Sequence, residues 1–317
     1  MVGRRPSIAL KELKKYWGEV DVVTGLFKPW MRRYDLVIAQ EPTMRIGFPA
    51  LVQAKLSRAF FISEVHGDYL QSKFLPFKDK LSATIVLRGS DYVRAVNSTI
   101  AANLRLLGVR NVLTIPAVYV DTKLFKPLTA HEQRANTVVT AARLVPEKGL
   151  DLLIASVPDI LEKFADLRVV IIGDGVEKAH LQKLTRDKGL QEVVRFPGWI
   201  SHEQLFLYYN EAAVFVCTSF SEGGPRTVFE AAACQTPFVS TAVGLVREVF
   251  EHGRHGFILQ KRDSKLLAEY IIHLLENPGL REEMGLRARE VVEREFEWGR
   301  AVRRYATAYL KIVEGRV

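Results

Sequence analysis

The chain has 317 residues, of which 48% are hydrophobic and 26% are charged, and its mean hydropathy is close to zero. This composition excludes a disordered, collagen-like or membrane-bundle protein, and the length favours two domains. Two cysteines cannot build a disulfide framework, no apolar run reaches the roughly 18 residues of a membrane span, and the N-terminus lacks a signal-peptide core. We therefore expect a soluble, cytoplasmic protein.

The net charge of +9 is unevenly distributed along the chain. Residues 1–126 carry 20 Lys and Arg against 10 Asp and Glu, whereas the remainder is close to neutral. A basic half beside a neutral half predicts an anionic partner, such as a membrane face, a phosphorylated substrate or nucleic acid. A solvated surface that serves solubility explains the same charge equally well.

Short β-branched runs alternate with amphipathic segments along the chain. The predicted strands are Val20–Thr24, Leu36–Ala39, Phe60–Val65, Tyr92–Val96, Val112–Ile115, Thr137–Thr140, Leu167–Ile172, Val193–Phe196, Val214–Thr218, Phe238–Thr241 and Gly256–Leu259. Segments predicted to be helical include Ile8–Trp17, Ser98–Leu107, Asp151–Phe164, Lys178–Lys188, Thr227–Cys234 and Lys265–Asn277. Continuous apolar strands between helices are typical of parallel sheets covered on both faces, so we predict an α/β protein with two doubly wound domains.

The polar segment Val120–Asn136 interrupts this alternation and predicts the domain boundary. We place the first domain at residues 1–128 and the second at 129–298. Because ligands bind at the carboxyl ends of parallel strands, two such domains in tandem predict a ligand cleft between them.

The most informative segment is Thr218–Thr241, in which a strand, a glycine turn and a helix follow one another. Gly223 and Gly224 allow close approach of the backbone to a ligand, and a helix N-terminus suits a phosphate. Glu222 and Glu230 are compatible with a phosphate only if they face neutral hydroxyls, such as those of a sugar or a ribose. A plain glycine turn with a solvated second glutamate is the alternative.

The Glu-x7-Glu spacing of Glu222 and Glu230, with the flanking Thr-Pro-Phe-Val-Ser-Thr, resembles the group-1 family (family 4) of retaining, nucleotide-sugar-dependent glycosyltransferases of GT-B fold. Further segments that resemble the family, in its order, are Val120–Pro127, Thr140–Gly149, Ile172–Gly175, Arg195–Trp199, Val243–Glu248 and Phe296–Trp298. The resemblance covers most of the chain from Tyr34 onward. It implies two Rossmann-like domains that face a central cleft, with a final helix, about residues 299–317, that packs back on the first domain.

The resemblance also implies roles for individual residues. Arg143 and Lys148 would clamp the donor diphosphate and stabilise the leaving group, Glu222 would contact the transferred sugar, and Glu230 would hold the ribose hydroxyls. From the first domain, His66 would contact the donor sugar. The remaining donor-binding residues are Gly223, Gly224, Arg226 and Thr227 around the helix N-terminus, Gly173, Gly175 and Trp199 near the base, and Gly3 in an N-terminal phosphate loop. For Trp199, a core aromatic is the alternative.

Family members open with a β-strand before the phosphate loop, but Met1–Pro6 already resembles that loop. We therefore expect the N-terminal domain to lack its first strand. Either the true start lies upstream or the N-terminal sheet is naturally reduced.

The function that the resemblance implies is retaining transfer of a hexosyl unit from a UDP- or GDP-sugar to a glycan or lipid-linked acceptor. The chain has no Asp-x-Asp motif and no cluster with metal-ligand spacing, so we expect no cofactor and no metal requirement. A nucleotide-sugar-binding GT-B protein with impaired catalysis and a sugar-nucleotide epimerase are the alternatives.

Two segments of the basic half, Leu26–Tyr34 and Lys73–Leu81, interleave basic and aromatic residues. Such segments can lie on an anionic membrane, which would make the protein peripheral on the inner membrane face. Apolar residues in the core beneath a solvated basic face are the alternative. No nucleic-acid reader motif accompanies the charge, so we expect no nucleic-acid partner.

Overall fold

The computed structural model describes residues 15–17, 33–67 and 77–315. The chain divides into two compact units, of which one ends at Ala117 and resumes at Gly299 and the other spans Val118–Trp298. Gly3, the predicted strand Val20–Thr24, and most of Ile8–Trp17 and Leu26–Tyr34 lie outside the described residues.

The described part of the first unit contains a four-stranded parallel sheet in the order β1-β2-β3-β4. Its strands are β1 (Leu36–Ala39), β2 (Phe60–Val65), β3 (Tyr92–Ala95) and β4 (Val112–Thr114). The connecting helices are α1 (Gly47–Ser57), α2 (Phe77–Gly89) and α3 (Ser98–Leu106), and the C-terminal helix α11 (Trp298–Val313) buries Tyr309 and Ile312 against Ile62 and Ile115.

The second unit contains a six-stranded parallel sheet in the order β10-β9-β8-β5-β6-β7. Its strands are β5 (Ala135–Ala141), β6 (Arg168–Ile172), β7 (Val194–Gly198), β8 (Ala212–Cys217), β9 (Phe238–Thr241) and β10 (Phe257–Leu259). Its helices are α4 (Asp151–Leu161), α5 (Lys178–Asp187), α6 (Leu205–Glu211), α7 (Arg226–Ala233), α8 (Gly244–Val249), α9 (Ser264–Glu276) and α10 (Pro278–Glu295). Strands β8 and β9 are buried over their whole length, as central strands covered on both faces must be. The two parallel sheets confirm the predicted α/β class.

The boundary between the units lies about ten residues before the predicted one, at Ala117 and Val118 rather than at residue 128. Val118, Val120 and Phe125 are buried in the core of the second unit, and Val120 forms a bridge to Glu297. The polar segment Val120–Asn136, which predicted the boundary, therefore belongs to the second unit.

Two buried arginines hold helix ends in the second unit. The Nη1 of Arg281 donates to the carbonyls of Leu274 and Leu275, at 2.7 and 2.9 Å, in the last turn of α9. The Nη2 of Arg134 donates to the carbonyl of Cys234 at 3.0 Å, directly after α7. Both cations therefore satisfy carbonyls that a helix leaves unpaired, at the negative end of its dipole.

Candidate functional site

The sheet of the second unit brings most of the predicted donor-binding residues to one edge. Because its strands are parallel, the loops that follow them emerge on the same side. Arg143 and Lys148 follow β5, Gly173 and Gly175 follow β6, Trp199 follows β7, and the segment with Glu222, Gly223 and Gly224 follows β8. We call this edge, with those residues, the carboxyl-edge site.

At the centre of the carboxyl-edge site, Lys148 and Glu222 form an ion pair between the Lys148 Nζ and the Glu222 Oε1. The side chains are 19% and 15% exposed, so the pair is largely shielded from water. The Ser219 Oγ donates a second hydrogen bond to Glu222 Oε1 at 2.7 Å. A carboxylate and an ammonium from two different loops are thus held within contact of each other.

Glu230 lies on α7 and is only 1% exposed. Its Oε1 is 2.7 Å from the Nε2 of His202, while its Oε2 is buried without a hydrogen-bond partner among the described residues. The alternative of a solvated second glutamate is therefore wrong. The hydrogen bond to the Glu230 carboxylate raises the pKa of His202, against the opposing effect of burial.

His202 was not among the residues predicted for the site. It lies 28 positions before Glu230, in a turn between β7 and α6, and its ring packs 5.1 Å from the ring of Phe125. No motif links such distant positions. The one available signal is that a histidine lies just beyond the end of a parallel strand, where ligands bind.

The residues around the N-terminus of α7 are arranged for contact with an anion. The helix begins at Arg226, and the residue before it, Pro225, forms no side-chain capping hydrogen bond. Arg226 is exposed, and its guanidinium lies 4.7 Å from the centre of the Tyr119 ring. Thr227 is half-buried in the first turn, and Arg143 is exposed across the site on the loop after β5.

Gly173 and Gly175 are required by the packing of their loop against the loop after β5. Both have positive φ, at +136° and +157°. A Cβ at Gly173 would lie 1.8 Å from the carbonyl oxygen of Ala142, and one at Gly175 would lie 2.3 Å from that of Leu144. The two glycines therefore set the shape of this end of the site.

Trp199 is 68% exposed, so the alternative of a core aromatic is wrong. The residue follows Gly198, the last residue of β7, directly at the carboxyl edge of the sheet. An exposed indole at this edge is available to stack on a planar ligand.

His66 belongs to the first unit, where it directly follows β2. Its Nε2 lies 3.2 Å from the Oε2 of Glu64, which is a buried carboxylate. Arg94 forms an ion pair with Glu64 at 2.9 Å, and the hydroxyls of Tyr305 and Tyr309 donate to the same carboxylate. Burial by itself raises the pKa of Glu64, but Arg94 and His66 bring it down to about 2. Glu64 is therefore a carboxylate that stays ionised and fixes the His66 ring.

Within residues 15–17, 33–67 and 77–315, no three His, Cys, Asp or Glu side chains converge as metal ligands do. In the same part of the chain, no helix is both long and apolar enough to cross a membrane.

Comparison with protein families identifies the chain. The model of the family described as "Glycosyl transferases group 1" matches residues 121–291, which is over half of the chain. The chain belongs to the group-1 glycosyltransferase family. The matched range includes the second unit's strands from β5 to β10 and every predicted site residue except His66 and Gly3.

Characterised relatives of this group-1 chain act on different acceptors. This chain is 28% identical over 197 residues to the GDP-mannose-dependent monoacylated alpha-(1-6)-phosphatidylinositol monomannoside mannosyltransferase of Corynebacterium glutamicum. The matching region covers 56% of this chain and 51% of that protein. The chain is 32% identical over 178 residues to the D-inositol 3-phosphate glycosyltransferase of Streptomyces scabiei, and this match covers 53% of this chain and 40% of that protein. The chain thus spans about half the length of the curated relatives it matches.

Solved structures confirm the fold expected of a group-1 chain. The crystal structure of Anabaena HepE in complex with UDP and glucose matches with a TM-score of 0.76 and 21% identity, over 88% of this chain and 78% of that one. The two α/β units with parallel sheets are those of a GT-B protein, as the resemblance implied.

Proposed function

We propose that this protein is a glycosyltransferase that moves a hexosyl unit from a UDP- or GDP-sugar to an acceptor hydroxyl, with retention at the anomeric carbon. The observation that carries the proposal is the shielded Lys148–Glu222 pair at the carboxyl edge of the sheet, inside the segment that matches the family. Membership of the family and the donors named for relatives, GDP-mannose among them, support it.

The donor diphosphate lies between Lys148, Arg143 and the N-terminus of α7. When it binds, the Lys148 ammonium exchanges part of its contact with Glu222 for a phosphate oxygen, while the exposed Arg143 guanidinium adds a bidentate contact. The uncapped N–H groups of the first turn of α7 face the same anion. These groups stabilise the charge that develops on the leaving nucleoside diphosphate.

The two glutamates bind the neutral parts of the donor. Glu222, released in part from Lys148, accepts a hydrogen bond from a hydroxyl of the transferred sugar. Glu230 accepts from the ribose hydroxyls, which would give its unpartnered oxygen a donor. Trp199 stacks on the base, and Gly173 and Gly175 let the loop after β6 pack closely against the loop after β5.

The transfer step uses the donor's own phosphate as the base. The bond between the anomeric carbon and the diphosphate oxygen breaks, and the acceptor oxygen attacks from the same face. The acceptor proton passes to an oxygen of the departing diphosphate, so no enzymic nucleophile is needed. His66, whose ring Glu64 orients, contacts the donor sugar. We propose that the reaction needs no metal ion.

The acceptor is a glycan or a lipid-linked sugar, and the first unit meets an anionic membrane surface. Helix α2 supports the membrane contact, because Phe77, Leu81 and Ile85 are 81%, 54% and 46% exposed and recur at every fourth position. Lys78 and Lys80 lie beside this apolar stripe. Co-sedimentation with vesicles that contain anionic lipid, and not with neutral vesicles, is the expected result; equal binding to both contradicts the membrane contact.

Transfer and its stereochemistry are tested with the purified protein and a panel of nucleotide sugars and acceptors. We expect acceptor-dependent release of nucleoside diphosphate and a product whose anomeric configuration, read by NMR, equals that of the donor. Glu222→Ala and Lys148→Ala should each abolish transfer. An inverted product contradicts the retaining mechanism. Donor binding without release supports an impaired binding protein, and release that does not respond to any acceptor supports an epimerase.

A further inference from the structure

The side chain of Arg262 ties together the two loops that carry Lys148 and Glu222. We propose that Arg262 is a positioning residue for the donor-binding pair: it fixes the loop after β5 against the loop after β8 and so sets the positions of the Lys148 ammonium and the Glu222 carboxylate. The inference rests on the proposed function. Arg262 follows β10, far from both loops in sequence.

The contacts of Arg262 divide between the two loops. On the loop after β8, its Nη1 donates to the carbonyl of Thr218, and its guanidinium lies 3.8 Å from the centre of the Phe220 ring. On the loop after β5, its Nη2 donates to the carbonyl of Gly149 at 3.2 Å, and it also donates to Oδ1 of Asp151, the first residue of α4, at 3.3 Å. One planar cation therefore bridges the residue after Lys148 and two residues that precede Glu222.

Arginine is the side chain that this position requires. A guanidinium can donate to several carbonyls in one plane and stack on a ring at the same time, whereas a lysine ammonium acts as a point charge. Gly149 makes room for the guanidinium, because a Cβ at this position would lie 2.5 Å from Arg262 Nη1. The φ of Gly149 is +54°. The loop backbone and the arginine thus fit each other closely.

The two loops are also joined without Arg262. The backbone N–H of Phe220 donates to the carbonyl of Glu147 at 2.9 Å, and Thr218 Oγ1 donates to the carbonyl of Lys148 at 3.0 Å. Loss of the arginine should therefore shift the loops relative to each other without unfolding them. Both terminal nitrogens of Arg262 donate to these segments, so we expect its effect on a ligand to pass through Lys148 and Glu222.

The test compares binding of UDP and GDP by calorimetry, and donor hydrolysis, in four proteins. They are the wild type, Arg262→Gln, Arg262→Lys, and Arg254→Gln as a control at an exposed arginine that pairs with Glu251 on the surface. We expect Arg262→Gln to weaken diphosphate binding about ten-fold, the equivalent of one charge-assisted hydrogen bond, and to lower kcat more than the control does. Arg262→Lys should lie between the wild type and Arg262→Gln.

A double-mutant cycle separates positioning from a general structural role. If Arg262 acts through Lys148, Arg262→Gln should have little further effect on kcat in a Lys148→Met background. Additive losses, or an Arg262→Gln protein that binds and turns over like the wild type, overturn the inference. If Arg262→Gln does not fold, the Arg262→Lys protein decides instead, and full activity of that variant overturns the inference. A wild type that binds neither UDP nor GDP contradicts the proposed function instead.

Discussion

Replacement of Lys148 by methionine removes the ammonium that pairs with Glu222 in the carboxyl-edge site and keeps a side chain of similar length. In the free protein, the change leaves Glu222 without its ion-pair partner in a site where the carboxylate is only 15% exposed. Loss of one partner of an ion pair lowers the free energy of unfolding by about 3–5 kcal/mol for a fully buried pair and by about 0–1 kcal/mol for a pair at the surface. Because Ser219 still donates to the same carboxylate oxygen, we expect about 1–2 kcal/mol of lost stability.

The effect on turnover should be larger than the effect on stability. In the proposed mechanism Lys148 stabilises charge that develops on the leaving diphosphate, and loss of one such group lowers kcat by roughly 100- to 1,000-fold, or about 3–4 kcal/mol. Donor hydrolysis is measured by release of nucleoside diphosphate, at a temperature where the variant is fully folded. Folding is followed by thermal unfolding of the same samples.

The matched control is Lys183→Met on α5. Lys183 pairs with Asp187 at 2.5 Å, but the lysine is 68% exposed, so the pair contributes little. We expect this control to keep the kcat and stability of the wild type. A Lys148→Met protein whose kcat stays within about three-fold of the control would refute the role of Lys148, since it corresponds to less than about 1 kcal/mol.

The remaining predictions concern other parts of the molecule. The pKa of His202 is raised in the folded protein by Glu230, so its stabilising contribution is complete below the ordinary histidine pKa and is lost as the pH rises through the raised value. The Tm difference between wild type and His202→Gln should therefore shrink from pH 5.5 to pH 8.5, whereas a constant difference contradicts the ion pair. Arg281→Met removes the guanidinium that donates to the carbonyls of Leu274 and Leu275 and should lower stability by about 2–4 kcal/mol in a urea titration; a loss under about 1 kcal/mol contradicts the capping role. Turnover should survive EDTA, and a loss that magnesium or manganese restores would refute metal independence.

The strands of the second unit could be predicted closely from the sequence. Strands such as β8 and β9 are covered on both faces, so they are continuous apolar runs that stand out from their surroundings. Helix α1 has apolar residues on more than one face, and α2 has them on both its buried and its exposed side, so neither shows the one-sided apolar pattern that predicts a surface helix. Their positions depend on contacts with the sheet, which local sequence does not reveal.

The sequence predicts candidate site residues where they fall in one motif. Glu222, Glu230 and the intervening glycines were recognised by their spacing, and Lys148 by the segment that resembles the family. His202 and Arg262 could not be found in this way, because they act through partners 28 and 44 positions away along the chain. Burial of Glu230 and exposure of Trp199 are likewise consequences of tertiary packing.

The most direct test of the account is nucleoside-diphosphate release from a panel of UDP- and GDP-sugars by the purified wild type and by Glu222→Gln. We predict that at least one nucleotide sugar is turned over by the wild type, that added acceptor accelerates release, and that Glu222→Gln reduces it by at least about 100-fold. A wild type that releases no nucleoside diphosphate from any donor, or a Glu222→Gln protein as active as the wild type, would contradict a glycosyl-transfer site at this edge of the sheet.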